Sequence, residues 1–168
     1  MPRLFFALWP DAEERRQFAS ILEQIPVKYG RRVSVDNLHI TLVFLGNIDA
    51  KKKACLLASA GRINYSPVNL YLDQLGWWKM AQVVWLAPSA APGELGSLAG
   101  ELAGIAARCG IQVDDRPYRP HMTLLRKVRK NPHLPAITPV HWTISKFTLV
   151  ESVNTPDGVK YEPVWTSS

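Results

Sequence analysis

Cysteine is scarce in this sequence, which contains only Cys55 and Cys109 among 168 residues. The two lie far apart and no Cys-x-x-Cys occurs, so the sequence predicts neither a disulfide framework nor a zinc ribbon. Cys109 falls on the apolar stripe of a predicted helix, and we expect it to be a small core residue. Because this cysteine usage is typical of reducing compartments, we expect a cytoplasmic protein.

Long hydrophobic runs are also missing. Residues 4–9 are apolar, but this run is far too short to span a bilayer. Acidic residues follow at once, at Asp11, Glu13 and Glu14, and that order does not match a secretory signal peptide. We therefore expect no membrane association, and we expect a monomer.

Three common nucleotide and metal motifs do not occur. No Gly-x-x-x-x-Gly-Lys is present to cradle phosphates, and no His-Glu-x-x-His is present to bind zinc. No Lys-x-x-Gly offers the lysine that ATP-dependent nucleic-acid ligases adenylylate. The sequence therefore gives no support to these three classes of enzyme.

Acidic residues are outnumbered by basic ones. Twenty Lys and Arg stand against 14 Asp and Glu, which gives a net charge of +6 and a pI near 9.5. This excess indicates either an anionic partner, most commonly nucleic acid, or a mildly basic surface that aids solubility. The chain is long enough to bury a core without disulfides or metals, so we predict one domain, or two small lobes that share a core.

The most informative pattern is a tetrapeptide that occurs twice, as His-Ile-Thr-Leu at 39–42 and His-Met-Thr-Leu at 121–124. Alternating polar and apolar residues are typical of a β-strand, where neighbouring side chains point to opposite faces. Each strand would place its histidine and threonine on one face and pack its apolar residues on the other. A single such strand is usually structural, but two at matched positions predict a paired functional site.

A site of this kind suits the opening of a phosphodiester. Histidine titrates near neutrality, so one of His39 and His121 can take a proton from the nucleophile while the other gives one to the leaving oxygen. The hydroxyls of Thr41 and Thr123 can donate hydrogen bonds to the non-bridging oxygens as charge builds. The scheme needs no metal and no cofactor. A metal held by both histidines is the alternative, but no carboxylate lies at an obvious spacing to join them.

The order of elements repeats as well. Strand, helix and histidine strand follow one another in both halves, which predicts pseudo-repeats at roughly 1–78 and 79–168 within one bilobed domain. Asp11 and Glu14 have the spacing of a capping box at the first helix. The predicted strands are 4–8, 37–45, 68–72, 83–86, 120–126, 142–150 and 159–165, the helices are 11–25, 49–62 and 92–109, and a proline-rich loop covers 131–139.

Basic and aromatic residues near the second motif are further candidates. Strand parity puts Arg119 on the face of His121 and puts Arg126 on the opposite face unless the strand bends or ends there, and either could clamp phosphate. Trp78 could stack on a substrate base or pack internally, whereas Trp85 is expected in the core.

The chain resembles the 2H phosphoesterase superfamily, and within it the bacterial and archaeal RNA 2′,3′-cyclic phosphodiesterase family, also called 2′-5′ RNA ligase. The resemblance covers almost the whole chain. Besides the paired motifs, it is carried by RLFFA at 3–7, NLHITL at 37–42 with FLG at 44–46, VVWL at 83–86, and RPHMTL at 119–124 with Arg126.

The resemblance implies a bilobed α+β fold, in which two antiparallel sheets face a central cleft and the helices lie outside. It implies hydrolysis of a 2′,3′-cyclic phosphate at an RNA end to a 2′-phosphate, or its joining to a 5′-hydroxyl end without ATP. The implied roles are His121 as proton acceptor, His39 as proton donor, Thr41, Thr123 and Arg126 as phosphate ligands, and Arg119, Phe5 and Trp78 as candidate substrate contacts.

Several alternatives stay open at the level of sequence. The donor and acceptor roles of His39 and His121 could be reversed, because the sequence sets neither pKa. A related 2H enzyme could act on a small cyclic nucleotide such as ADP-ribose cyclic phosphate. A non-catalytic RNA-binding module would bind RNA with salt-sensitive affinity and leave its ends unchanged.

Overall fold

The computed structural model describes the whole chain, Met1–Ser168, as three α-helices and ten β-strands. The helices are α1 (Ala12–Gln24), α2 (Ala50–Ala60) and α3 (Gly93–Arg108). The strands are β1 (Arg3–Leu8), β2 (Arg31–Arg32), β3 (Ile40–Asn47), β4 (Val68–Leu72), β5 (Gln74–Trp78), β6 (Val83–Ala87), β7 (Met122–Arg126), β8 (Val140–Ile144), β9 (Thr148–Thr155) and β10 (Gly158–Thr166).

The strands form antiparallel sheets, which makes this an α+β fold as predicted. The first sheet has the order β10-β9-β1-β3, the second has the order β2-β7-β6-β5, and β4 pairs with β8 as a separate ribbon. Each four-stranded sheet takes strands from both halves of the sequence. β9 and β10 complete the sheet of β1 and β3, while β2 and β5 flank β6 and β7. Neither half therefore contains a complete sheet of its own.

The helices form where the apolar pattern predicts them. In α1 the buried residues are Phe18, Ile21 and Leu22, which lie on one face of the helix. The longer α3 buries six residues along one stripe and packs against β3 and α2. The predicted loop over 131–139 is confirmed, since it contains no helix or strand.

Two local predictions are wrong. The single strand predicted over 142–150 is two strands, because the chain leaves β8 at Ile144 and joins the first sheet as β9 from Thr148. Asp11 occupies the N-cap position of α1, but its side chain makes no capping hydrogen bond. Its carboxylate instead lies 3.4 Å from the Lys146 ammonium, so the predicted capping box does not form.

The cysteine prediction is also wrong. Cys55 in α2 and Cys109 at the end of α3 form a disulfide across 54 residues of sequence. Sequence spacing gave no sign of this pairing, because it arises from the packing of α2 on α3, which brings the two Cα atoms within 5.8 Å. Cys109 is half-buried against the core and Cys55 is exposed, so the pair lies at the rim of the helix layer.

No helix in the structure has both the length and the apolar composition needed to cross a membrane.

Trp85 lies outside the core in which it was predicted. Its ring is half-buried and packs over Gly76 on the neighbouring strand, and a Cβ at Gly76 would come within 2.1 Å of the ring. The ring also packs against Trp78, with ring centroids 5.4 Å apart. Glycine at position 76 is therefore required for the indole to lie flat on β5.

We expect Gly76→Ala to lower the free energy of unfolding by about 1–3 kcal/mol, because the new methyl group must displace a packed ring. The matched control is Gly96→Ala, since Gly96 lies in α3 with open space around its Cα. There alanine should raise stability by about 0.5–1 kcal/mol through its higher helix propensity. Urea denaturation of both variants is the measurement, and equal changes in the two would contradict the packing argument.

Candidate active site

His39 is fixed by two hydrogen bonds at the start of β3. Its Nδ1 lies 2.6 Å from the carbonyl oxygen of Asn37. A carbonyl can only accept, so Nδ1 carries the proton and Nε2 of the neutral ring has a free lone pair. The Thr41 hydroxyl lies 3.0 Å from Nε2 and donates to it. Histidine and threonine therefore share a face, as the sequence predicted.

The segment that supplies the Asn37 carbonyl is itself held in place. The Arg15 guanidinium, from α1, donates to the carbonyls of Val35 and Leu38 at 2.7 and 3.0 Å. The Asn37 side chain donates to the Val159 carbonyl at 2.8 Å and accepts from the Tyr161 backbone at 3.0 Å. α1 and β10 thus hold the backbone on either side of the carbonyl that orients His39.

Aromatic rings surround the imidazole of His39. Phe5, Trp9 and Tyr161 have ring centroids 4.9, 6.0 and 5.2 Å from that of His39. Burial among these rings lowers the pKa of His39 to about 4. The Asn37 carbonyl opposes this shift, while the positive charges of Arg126, Arg15 and His121 add to it.

His121 is anchored in the same manner at the start of β7. Its Nδ1 lies 2.8 Å from the carbonyl oxygen of Arg119, two residues earlier, just as the Nδ1 of His39 lies against residue 37. Trp78 packs edge-on against the ring, with centroids 4.6 Å apart. Burial lowers the pKa of His121, and the positive charge of Arg126 lowers it further, against the opposing effect of the Arg119 carbonyl.

The two motifs meet in one site. Arg126 acts electrostatically on both histidines, and the charge of His121 contributes to the pKa of His39. Tyr118, three residues before His121, donates its hydroxyl to the Thr41 carbonyl at 3.1 Å and so ties the second motif to β3. The two imidazoles, one just before β3 in the first sheet and one just before β7 in the second, are therefore close enough for their charges to interact, and we refer to the space around them as the pocket.

A β-bulge explains why parity misplaced Arg126. The register of β6 against β7 pairs Val84 with Leu125 and Trp85 with Thr123, so one residue of β7 is extra. Such a bulge reverses the alternation, and it returns Arg126 to the face of Thr123. Consistent with this, Leu124 and Leu125 are both fully buried.

The same irregularity occurs at the matched place in β3. There Ala7 pairs with Thr41 and Phe6 pairs with Val43, which leaves one residue of β3 extra. The result puts Phe44 on the face of Thr41, where its ring is 65% exposed and lies 5.9 Å from that of Phe5. The fifth residue after the histidine is therefore Arg126 in one motif and the exposed Phe44 in the other.

The remaining candidates divide by environment. Phe5 is buried beneath His39, and Trp78 is half-buried beside His121. Arg119 contributes its backbone carbonyl, while its side chain is exposed. Thr123 is half-buried next to Trp85 in the register. Trp77 has a structural role, since its Nε1 donates to the Val128 carbonyl at 3.0 Å.

Several residues that shape the site had no assigned role in the sequence analysis. Trp9 continues the alternation of Phe5 and Ala7 on β1, and this pattern could have found it. Arg15, Tyr118 and Tyr161 carry no local signal, because their contacts to the site are made across 20 or more residues of sequence. Only the tertiary structure reveals them.

Other features of the surface lie away from this pocket. No three His, Cys, Asp or Glu side chains are arranged so that they could hold a metal ion. A cavity of about 400 Å³ lies between α3 and residues 64–68, and neither histidine lines it. His133 and His141 are exposed.

Comparison with known proteins identifies the family of this chain. The family model described as the 2'-5' RNA ligase superfamily matches residues 6–156. An Escherichia coli protein named RNA 2',3'-cyclic phosphodiesterase is 38% identical over 165 residues, covering 96% of this chain and 93% of its own. A protein of the same name from Archaeoglobus fulgidus is 28% identical over 171 residues, covering 95% of this chain and 96% of its own.

A solved structure is similar over almost the whole chain. The crystal structure of E. coli LigT complexed with NADP+ has a TM-score of 0.90 and 37% identity, and covers 99% of this chain and 96% of its own. Fold and sequence therefore agree, and the chain belongs to the 2'-5' RNA ligase superfamily.

Proposed function

We propose that the protein hydrolyses 2′,3′-cyclic phosphates at RNA ends, leaving a 2′-phosphate. The observation that carries this proposal is the joint placement of His39 and His121. Each has its Nδ1 on a backbone carbonyl, so each presents Nε2 to the pocket, and Arg126 lies near both. The names of the relatives from E. coli and A. fulgidus support the same substrate.

The reaction follows from these positions. In the order that the family resemblance implies, Nε2 of His121 takes a proton from water as the water oxygen bonds to phosphorus. The bond from phosphorus to the 3′ oxygen breaks, and His39 gives that oxygen a proton. The products are a 3′-hydroxyl and a 2′-phosphate, and no group outside the substrate and water is consumed.

In the proposed reaction three side chains hold the phosphate. Arg126 supplies a guanidinium that can bind two oxygens at once, and the Thr41 and Thr123 hydroxyls supply further donors. In the free protein the Thr41 hydroxyl donates to Nε2 of His39. A bound phosphate oxygen would take that donor and release Nε2 for proton transfer.

The reverse order of proton transfer is favoured by one observation. Burial among aromatic rings lowers the pKa of His39 to about 4, so its ring is neutral in the free protein at pH 7 and suited to accept a proton. For His39 to act as donor, the negative charge of the bound phosphate must raise its pKa. Both orders use the same two imidazoles, and a substrate with sulfur in place of the 3′ oxygen distinguishes the two orders.

The pocket also offers a surface for the nucleoside. Phe44 presents an exposed ring on the same face as Thr41. Stacking of a base on such a ring is independent of base identity, which suits an enzyme of RNA ends.

A 5′-hydroxyl RNA end in place of water would give a 2′-5′ linkage, since the strained cyclic phosphate needs no ATP for activation.

Two rival functions give different results in a simple assay. A related enzyme of small cyclic nucleotides would prefer ADP-ribose 1″,2″-cyclic phosphate to a cyclic-phosphate-ended RNA. A non-catalytic RNA-binding module would leave both unchanged.

The monomeric state, the cytoplasmic location and the origin of the halves as pseudo-repeats stay predictions from the sequence.

We expect His39→Ala and His121→Ala each to reduce hydrolysis of a cyclic-phosphate-ended RNA by about 10²-fold or more, because each removes one proton-transfer group. A substrate with sulfur in place of the 3′ oxygen has a leaving group that needs no proton. On it, the variant that lacks the donor should recover most of the lost rate, and the other variant should not. Recovery by His39→Ala would assign the donor to His39, and recovery by His121→Ala would reverse the order. Retention of more than a tenth of the rate on RNA by either variant would contradict proton transfer by that residue.

The rate of hydrolysis should depend on pH as a bell-shaped curve, because one imidazole must be neutral and the other protonated. Burial lowers the pKa of both histidines, so the acidic limb should lie below the ordinary histidine value of about 6.5. The curve should be the same in excess EDTA, and loss of the rate on chelation would favour a metal site instead.

The buried imidazole of His39 should also make folding sensitive to acid. Its folded pKa of about 4 is below the unfolded value of 6.5, so the unfolded chain binds the proton more readily between these limits. This contribution to stability is complete above pH 6.5 and is lost as the pH falls towards 4. It amounts to on the order of 2–3 kcal/mol.

Denaturation of His39→Gln between pH 4 and pH 7 tests this contribution, since glutamine does not titrate. The variant should lose stability towards acid less steeply than the unsubstituted protein. His133→Gln, at an exposed loop position, should retain the original dependence. Identical slopes for the unsubstituted protein and His39→Gln would show that burial does not disfavour the charged ring.

A further inference from the structure

Two arginines lie directly opposite one another in the second sheet. Arg31 on the edge strand β2 pairs with Arg126 on β7. Side chains of directly opposed residues share a face with Cβ atoms about 4.5–5.5 Å apart, and like charges there are destabilising. Neither arginine takes part in any of the four ion pairs of the structure. No carboxylate of the protein therefore offsets the repulsion between these two guanidinium groups, whereas a bound anion would.

The neighbouring Arg32 shows what a structural arginine does in this strand. Its guanidinium donates to the carbonyls of Glu23 and Ile25, at 3.2 and 2.9 Å, and so satisfies the end of α1. Arg31 is exposed and points to the other face because side chains alternate along a strand. Of the two adjacent arginines, only Arg32 therefore makes hydrogen bonds that stabilise the fold.

Arg31 extends the phosphate site outward. Arg126 lies near both histidines, so its face of β7 is the face of the pocket. Arg31 stands one strand further from the histidines on that face. Its Nη2 lies 3.9 Å from the place where a Cβ would stand at Gly158, which belongs to the first sheet. The guanidinium thus lies where the two sheets approach each other, beside the catalytic pocket.

We propose that Arg31 binds the phosphodiester immediately 5′ of the nucleotide whose cyclic phosphate is opened. The inference rests on the proposed function and adds a substrate preference to it. A cyclic phosphate held at Arg126 places the next negative charge of an RNA chain one nucleotide away, and Arg31, which pairs with Arg126 across the strands and makes no ion pair, offers a cation for it. A mononucleoside cyclic phosphate has no such group, so Arg31 selects for oligonucleotide ends.

Three substrates test the role of Arg31. They are a nucleoside 2′,3′-cyclic phosphate, a dinucleotide that ends in the same cyclic phosphate, and that dinucleotide with a neutral methylphosphonate at its internal linkage. For Arg31→Gln, the ratio of kcat/KM between the charged dinucleotide and the mononucleoside should fall by about tenfold or more, as expected for loss of a charged hydrogen bond. Arg62→Gln, at an exposed position after α2, is the matched control and should keep the original ratio.

The methylphosphonate isolates the contact. It should slow the unsubstituted protein by a similar factor and slow Arg31→Gln no further, which would show that both changes remove the same interaction. The dependence of kcat/KM on salt should also become shallower in Arg31→Gln by about 0.7 in the logarithmic slope, the value for one phosphate of a single strand.

Other outcomes would overturn the inference. An equal loss on the mononucleoside and the dinucleotide would place Arg31 at the reactive phosphate, and no loss on either would remove it from the site. A melting temperature of Arg31→Gln several degrees below that of the unsubstituted protein would make the residue structural, since relief of repulsion predicts no fall. If the unsubstituted protein opened none of the three substrates, the proposed function itself would fail, and that result differs from all of these.

Discussion

The candidate site depends on one hydrogen bond made twice, from a histidine Nδ1 to the backbone carbonyl two residues earlier. At His39 the acceptor is Asn37 and at His121 it is Arg119. Because the carbonyl can only accept, the bond fixes the tautomer as well as the angle of the ring. Both rings then present Nε2, the atom that would exchange protons with the substrate in the proposed reaction.

Helix α1 and the first sheet hold His39 in place. Arg15 fixes the backbone of residues 35–38, and Asn37 is bound to β10 on the far edge of the sheet order. The rings packed around His39 remove water from it, which explains why its pKa is lowered. The same residues that set its position therefore also set its charge, so position and proton affinity cannot be changed separately at this histidine.

The sequence predicted most of the fold because its strongest patterns are local. Strands β1, β4, β6 and β10 and all three helices follow apolar periodicity closely, and the repeated tetrapeptide located both histidines. It failed where tertiary contacts decide the outcome. The pairing of Cys55 with Cys109 depends on how α2 packs on α3, and the break before Thr148 depends on a change of sheet. The side of the strand that carries Arg126 depends on a bulge that no periodicity shows.

The two bulges place different side chains at matched positions of the site. Each one turns the residue five positions after the histidine back into the pocket, so both motifs use the same backbone geometry at that point. Because the backbone is matched, the chemical difference lies in the side chains alone. Arg126 gives one wall a charge suited to phosphate, and Phe44 gives the other an exposed ring suited to a base. A nucleotide combines an anion with a flat ring, and in the proposed function these two side chains offer one partner for each part.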